Sequence, residues 1–158
     1  LQESMPIGDD ETATEVHERM KRIGANLVVR TLQQLVAGTI EEIPQILTAE
    51  TKHAPKIFTK DCTIQWNQSA EQLHNLVRGL AQFPGAITQL DGKIIKVFKS
   101  QKEIIAHPHA VGCVFTDNKT FLKFSCSNGY LHLLDLQLEG KKRMPIADFL
   151  RGYKPPII

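Results

Sequence analysis

The chain has 158 residues, 42% of them hydrophobic and 23% charged, with ten Gly, eight Pro and three Cys. That balance excludes collagen-like, low-complexity and disordered chains, and the length allows one globular unit or two small ones that bury roughly 70% of the unfolded surface without a disulfide or metal. The formal net charge of +2 hides an asymmetry: residues 1–52 carry five Lys/Arg against nine Asp/Glu, and residues 53–158 carry fourteen against eight.

The basic excess of the second part fits contact with a polyanion, since each neutralised phosphate releases condensed counterions, and it fits ordinary solubility equally well. No apolar run approaches the ~20 residues that span a bilayer. Cys62, Cys113 and Cys126 form no CxxC pair and leave one thiol over. Odd, unpatterned cysteines point to a reducing compartment, so a cytoplasmic protein with inert thiols is expected. The chain opens on Leu1, with no Met, in what reads as the tail of a strand, and a piece of a longer protein is expected.

Residues 1–7 alternate weakly up to Gly8-Asp9-Asp10 and predict a short edge strand and turn. Thr12-Ala13-Thr14-Glu15 has the capping-box pattern, and Val16, Met20, Ile23, Leu27, Leu32 and Leu35 recur at helical spacing up to Gly38. Gly24 is expected to split this stretch into two helices sharing one apolar face. From 43 to 65 periodicity disappears, which predicts an interdomain linker. Ser69-Ala70-Glu71-Gln72 is a second capping box, and Leu73, Leu76, Val77 and Leu80 form one stripe of a short helix ending before Phe83-Pro84-Gly85.

Beyond Gly85 the pattern becomes β. Asp91-Gly92 between 86–90 and 93–99 predicts a type I′ hairpin; Asp117-Asn118 and Asn128-Gly129 mark turns around strands near 111–116, 120–126 and 130–138. Leu131 and Leu133 share one face, whereas Leu134, Leu136 and Leu138 share the other, a parity change that a bulge or barrel corner produces. After Gly140 comes a basic turn, then a short helix with Pro145 expected at its first position, then a Pro-rich tail. The fold class predicted is α+β, mainly β: a small, partly open barrel of the OB type with short flanking helices, preceded by an isolated strand and a long helix.

No GxSxG, HExxH, P-loop or GxGxxG is present, so no catalytic set is assigned. His107-Pro108-His109 with Cys113 matches no standard metal spacing and reads as surface-loop histidines. Trp66 and Phe83 could stack on bases and are expected instead to anchor the core. Lys93, Lys96 and Lys99 lie on one strand with mixed parity, and reach one face only if that strand bulges. Lys141, Lys142 and Arg143 share a connection, Arg78 lies on the short helix, and Lys56 lies in the linker.

These residues resemble the carboxyl-terminal half of the methionyl-tRNA formyltransferase family. The likeness is carried by Asp10-Glu11-Thr12-Ala13, Val16-His17-Glu18-Arg19-Met20, His53-Ala54-Pro55-Lys56-Ile57, Arg78-Gly79-Leu80, Pro84-Gly85-Ala86, Gly92-Lys93, and Glu139-Gly140-Lys141-Lys142-Arg143-Met144 before Ala147-Asp148-Phe149-Leu150. The family moves a formyl group from 10-formyltetrahydrofolate to the methionine of initiator tRNA. The resemblance implies that 1–42 is the remnant of a Rossmann-like formyltransferase domain, 43–65 a linker and 66–158 an OB-like tRNA-binding domain. It implies tRNA contact at Lys56, Arg78, Lys93, Lys96, Lys141, Lys142 and Arg143, and neither a catalytic residue nor a metal or cofactor in this piece. It further implies that Val16, Met20, Ile23 and Leu27 pack on a sheet outside this sequence, or on a second copy. The family's Asn-Pro-Trp before Pro-Gly-Ala is here Ala81-Gln82-Phe83. Two rivals remain open: an amino-sugar-nucleotide formyltransferase of the same architecture, and a stand-alone OB-like binding module.

Overall fold

A computed structural model describes residues 1–154, and the Pro-rich tail expected from sequence lies mostly outside the described residues. The chain divides into two compact units, the first being Leu1–Ile57 and the second starting at Phe58.

The first unit is built on α1, Ala13–Val36. Thr12 Oγ1 accepts from the Glu15 amide while Glu15 Oε2 accepts from the Thr12 amide at 2.8 Å, so the predicted capping box satisfies two orphan donors. At the other end Gly38 takes φ +68°, Thr39 N–H bonds the Gln34 carbonyl and Gly38 N–H that of Leu35. This is the Schellman ending that a left-handed glycine permits. Contrary to expectation, Gly24 does not divide the helix. One glycine costs a helix only about 1 kcal/mol, and the flanking turns supply that.

The edge strand expected at 1–7 is also absent. A strand needs a neighbour's hydrogen-bond ladder, and among the described residues this unit contains no sheet. Instead the segment runs back along α1, held by Arg19 Nη2 on the Pro6 carbonyl (2.8 Å), by the Arg19–Glu11 ion pair and by Arg30 on Glu3 (3.4 Å). No α1 residue is buried, and Met20, Leu32 and Leu35 are each more than half exposed. Of the apolar stripe read from sequence, Met20, Leu32 and Leu35 are thus exposed, whereas Val16, Ile23 and Leu27 are half-buried.

In the second unit the end of the expected linker is ordered. Thr59–Cys62 form a 3-10 turn, Ile64 N–H bonds the Ile87 carbonyl (2.8 Å), and Cys62 and Ile64 are buried in the core. The helix α2, Ala70–Gly79, follows its capping box and turns Leu73 and Val77 inward. Six strands follow: β1 (Ala86–Leu90), β2 (Lys93–Ile104), β3 (Val114–Thr116), β4 (Leu122–Cys126), β5 (Gly129–Leu138) and β6 (Met144–Pro145), and α3 (Ile146–Gly152) comes last. Pro145 is the N-cap of α3 and not its first residue, because it still pairs with Asp135 in extended conformation (ψ 154°).

All pairings within the sheet are antiparallel, in the order β1-β2-β5-β4-β3, with β6 beside β5. Residues of β1, β3 and β4 line one cleft, so the sheet is curled; its end strands do not pair, and the architecture is an open half-barrel with flanking helices. Trp66 sits in that cleft, its ring stacked on Phe124 (centroids 4.4 Å, planes 2° apart) and its Nε1–H donated to Thr88 Oγ1. The inner face carries Ile95, Val97, Leu122, Phe124, Leu131, Leu133 and Leu136, all at most 2% exposed, and Ile146, Phe149 and Leu150 of α3 join the same core. Burial pushes the Cys62 and Cys126 thiols above their usual range, and all three cysteines are free.

Asp91 and Gly92 both have positive φ (51° and 71°), as a type I′ turn requires. Asn128-Gly129 works differently. Cys126 pairs with Gly129, so the turn is Ser127-Asn128, and Gly129 serves close approach: a Cβ there would lie 1.9 Å from the Glu103 carbonyl oxygen.

Two substitutions separate these glycines. Gly129→Ala should lower stability by about 2–3 kcal/mol through the clash with β2, whereas Gly24→Ala, where an added Cβ meets nothing within 4 Å, should raise it by about 0.5–1 kcal/mol; urea midpoints of the two variants measure both.

Candidate nucleic-acid interface

Strand β2 cannot keep one hydrophobic parity over twelve residues, and the register shows where it changes. Val97 pairs with Leu136, Lys99 with Asp135 and Ser100 with Leu133, so Phe98 is extra on β2 and Leu134 is extra on β5. Before this point Ile95 and Val97 face the core; after it Ser100 does, and the buried His74 of α2 bonds it (Nδ1 to Oγ, 3.0 Å). Lys96 and Lys99, of opposite parity in the sequence, are thereby both turned away from the core.

The shift also organises the cations around it. Arg143 places its guanidinium over the Phe98 ring (4.5 Å) and donates from Nε and Nη2 to Asp135 Oδ2 (2.9 and 2.7 Å). Gly140 turns the chain at φ +72°, and Gln137, which opposes Lys96, donates to the Lys141 carbonyl (2.9 Å). Lys141 and Lys142 are exposed on that turn. Lys96, Lys99, Lys141, Lys142 and Arg143 thus form one cationic surface, in which Arg143 is already paired with Asp135.

The other candidates fall elsewhere. Lys93 lies at the start of β2 on the core-side parity, its Nζ 5.2 Å from the Tyr153 ring centre. Arg78 lies in the last turn of α2, one turn beyond His74, and donates from Nε to Asn75 Oδ1 (2.7 Å). Lys56 belongs to the first unit and is exposed.

Residues outside the sequence reading continue the outward face. Glu103 Oε2 accepts from Lys123 Nζ (2.7 Å) and meets His132 Nε2 (2.6 Å), and Lys123 lies 4.0 Å from the centre of the Tyr130 ring. His107, expected from sequence in a surface loop, is instead half-buried, its ring contacting the Cys126 and Gly129 carbonyls and packing on Tyr130. Alternation in β4, where Lys123 lies between buried Leu122 and Phe124, is the sequence signal for Lys123. Of the two aromatics expected in the core, Trp66 packs on Phe124, but Phe83 is 86% exposed and anchors no core. Among the described residues no helix is long and apolar enough to cross a membrane.

The family model "Formyl transferase, C-terminal domain" matches residues 56–154. The chain belongs to the formyltransferase family. Methionyl-tRNA formyltransferases match it at 34–41% identity; that of Phocaeicola vulgatus is 36% identical over 159 residues, covering 95% of this chain and 49% of its own. The chain thus spans about half the length of the curated relatives it matches. Among solved structures, a variant of HypX from Aquifex aeolicus has a TM-score of 0.61 at 18% identity, covering 98% of this chain and 29% of that one. The sugar 3N-formyl transferase WlaRD, crystallised in the presence of dTdp and 5-N-Formyl-THF, has a TM-score of 0.58 at 14% identity, covering 87% and 48%. At such identities these two establish fold alone.

Hydrogen bonds from Lys123 and His132 hold the Glu103 carboxyl below its ordinary value of 4.5. A carboxylate depressed in the folded state adds stability above its unfolded pKa and loses it as pH falls through the folded one. Glu103→Gln should therefore flatten the stability loss below pH 4.5 and leave the curve near neutrality lower but parallel, as urea unfolding across the acid range would measure.

Proposed function

We propose that this chain is the carboxyl-terminal half of a methionyl-tRNA formyltransferase and that its second unit holds initiator tRNA through the surface of Lys96, Lys99, Lys141, Lys142 and Arg143. The observation that carries this reading is the reach of the likeness: the match to methionyl-tRNA formyltransferases runs over 94–98% of the chain, well beyond the family model. The amino-sugar-nucleotide alternative has the weaker support, since WlaRD is 14% identical. A cationic surface on an outward sheet face suits phosphates, because each lysine there neutralises one charge without burying itself. The OB-like description of the half-barrel belongs to this reading too, as open Greek-key barrels commonly carry oligonucleotides on a sheet face.

In this assignment the longer enzyme takes its formyl group from 10-formyltetrahydrofolate, and the donor and the chemical step belong to the amino-terminal half. Residues 1–42 are then the end of that half, 43–57 the connection and 58–158 the tRNA-holding domain, with Lys56 and Arg78 as further phosphate contacts and Lys93 the weakest of the set. The enzyme works in the cytoplasm, where initiator tRNA is charged. Its amino-terminal sheet covers the apolar stripe of α1, and without that sheet a second copy does. Sedimentation should therefore find residues 1–158 self-associated and Met20→Glu/Leu32→Glu monomeric; a monomeric parent chain would contradict the stripe's role.

Titration of the chain with initiator and elongator tRNA across a salt series tests the RNA assignment. Binding should weaken steeply with salt and favour the initiator, and Lys99→Ala and Lys142→Ala should each reduce the slope by about one. Arg143→Ala should change it less, because Asp135 already neutralises that guanidinium. Absence of binding at low salt would return the sugar-nucleotide and interaction-module readings.

A further inference from the structure

We propose that Phe83 is a base-stacking residue, which receives an unpaired nucleobase of the bound RNA beside Lys96 and Lys99. The proposal rests on the RNA-binding reading above and adds to it a contact that no phosphate-binding lysine supplies.

Phe83 is the most exposed aromatic side chain among the described residues, at 86%. The other rings of the second unit mostly have partners in the fold: Trp66 stacks on Phe124, Phe149 on Tyr153, Phe115 meets Tyr130 edge-on, and Phe98 lies beneath Arg143. Exposure here does not come from a loose connection. Gln82 and Gly85 both take positive φ (69° and 84°), and Gly85 N–H bonds the Leu80 carbonyl at 2.9 Å. The corner is also packed from below, since a Cβ on Gly85 would lie 2.8 Å from the Phe98 ring and 3.4 Å from Lys96 Cβ. A large apolar ring is thus fixed at a tight corner where a polar residue would normally sit.

Its surroundings decide what such a ring can meet. Gly85 touches Lys96 and Phe98, and two residues of chain place the Phe83 Cα within about 7 Å of Gly85. Arg78 ends the helix that leads into the corner, and Arg143 and Lys99 flank Phe98. An apolar protein surface placed there would desolvate these cations, whereas a nucleotide offers a flat apolar ring together with a phosphate. The bulge that brings Lys96 and Lys99 to one face therefore places them where phosphates would flank a base stacked on Phe83.

Two RNA probes test this: initiator tRNA with its unpaired 3′ end, and a blunt RNA hairpin with no unpaired base outside its loop, the loop being a tight, stacked tetraloop. Phe83→Ala and Phe83→Leu should weaken tRNA binding on the order of tenfold at every salt concentration, leaving the salt slope unchanged. Phe83→Trp should restore it, and none of the three should alter binding to the hairpin. Because the side chain is exposed, the urea midpoint of each variant should stay at that of the parent. Parent-like tRNA affinity of Phe83→Ala overturns the proposal and leaves Phe83 to a protein contact. An equal loss on both probes overturns it too, since a duplex offers no free base. Absence of RNA binding by the parent chain overturns the RNA reading itself and the stacking proposal with it, so the two failures are told apart.

Discussion

Everything on the outward face of the second unit depends on one offset in the pairing of β2 with β5. A strand has a side-chain period of two, and a strand of twelve residues that kept it would send Lys96 and Lys99 to opposite faces. The extra residue at Phe98 resolves that conflict, and the compensating one at Leu134 returns β5 to register within two positions. The same offset turns Ser100 inward against His74 and leaves Phe98 on the outer side, where Gly85 and Arg143 cover it. The inward turn of Ser100, the outward turn of Lys99 and the place of Phe98 beneath Gly85 therefore all follow from this paired offset.

Much of this was legible from residue order. The parity change from Leu133 to Leu134 announced the offset, both capping boxes formed as written, and Asp91-Gly92 took the turn its composition demands. Signals that depend on distant partners were less readable. Residues 1–7 alternate like a strand, yet strand formation is a property of the pair and not of the segment, so Arg19 and Arg30 could hold them along α1 instead. Gly24 reads as a breaker only if local propensity outweighs the turns on either side. The ordered end of the linker hid because Cys62 and Ile64 are buried by tertiary contacts, while their neighbours in the sequence are polar.

The cation cluster shows the same division. Composition located the basic excess, and the connection at 141–143 was visible as a run, but which lysines share a face required the register. Lys93 reads like Lys96 in the sequence and differs only in parity, which sends it to Tyr153. Phe83 was misjudged for a related reason: aromatic residues in a small domain are usually buried, and nothing local to Gln82-Phe83-Pro84 states that Leu80 and Gly85 close the corner beneath it.

A contact of the β4–β5 turn ties the order of assembly to this architecture. The Asn128 side chain, in the β4–β5 turn, accepts from the Ala70 amide (2.8 Å) and donates to Glu71 (3.0 Å), so the first turn of α2 is completed by a residue 58 positions away. A ten-residue helix is marginal by itself in water. The hairpin must therefore close before α2 gains its full stability, and helix and hairpin should open together as one cooperative unit. Any partner that grips the outward face of β5 would thereby also steady α2 and the Arg78 end that leads into the Phe83 corner.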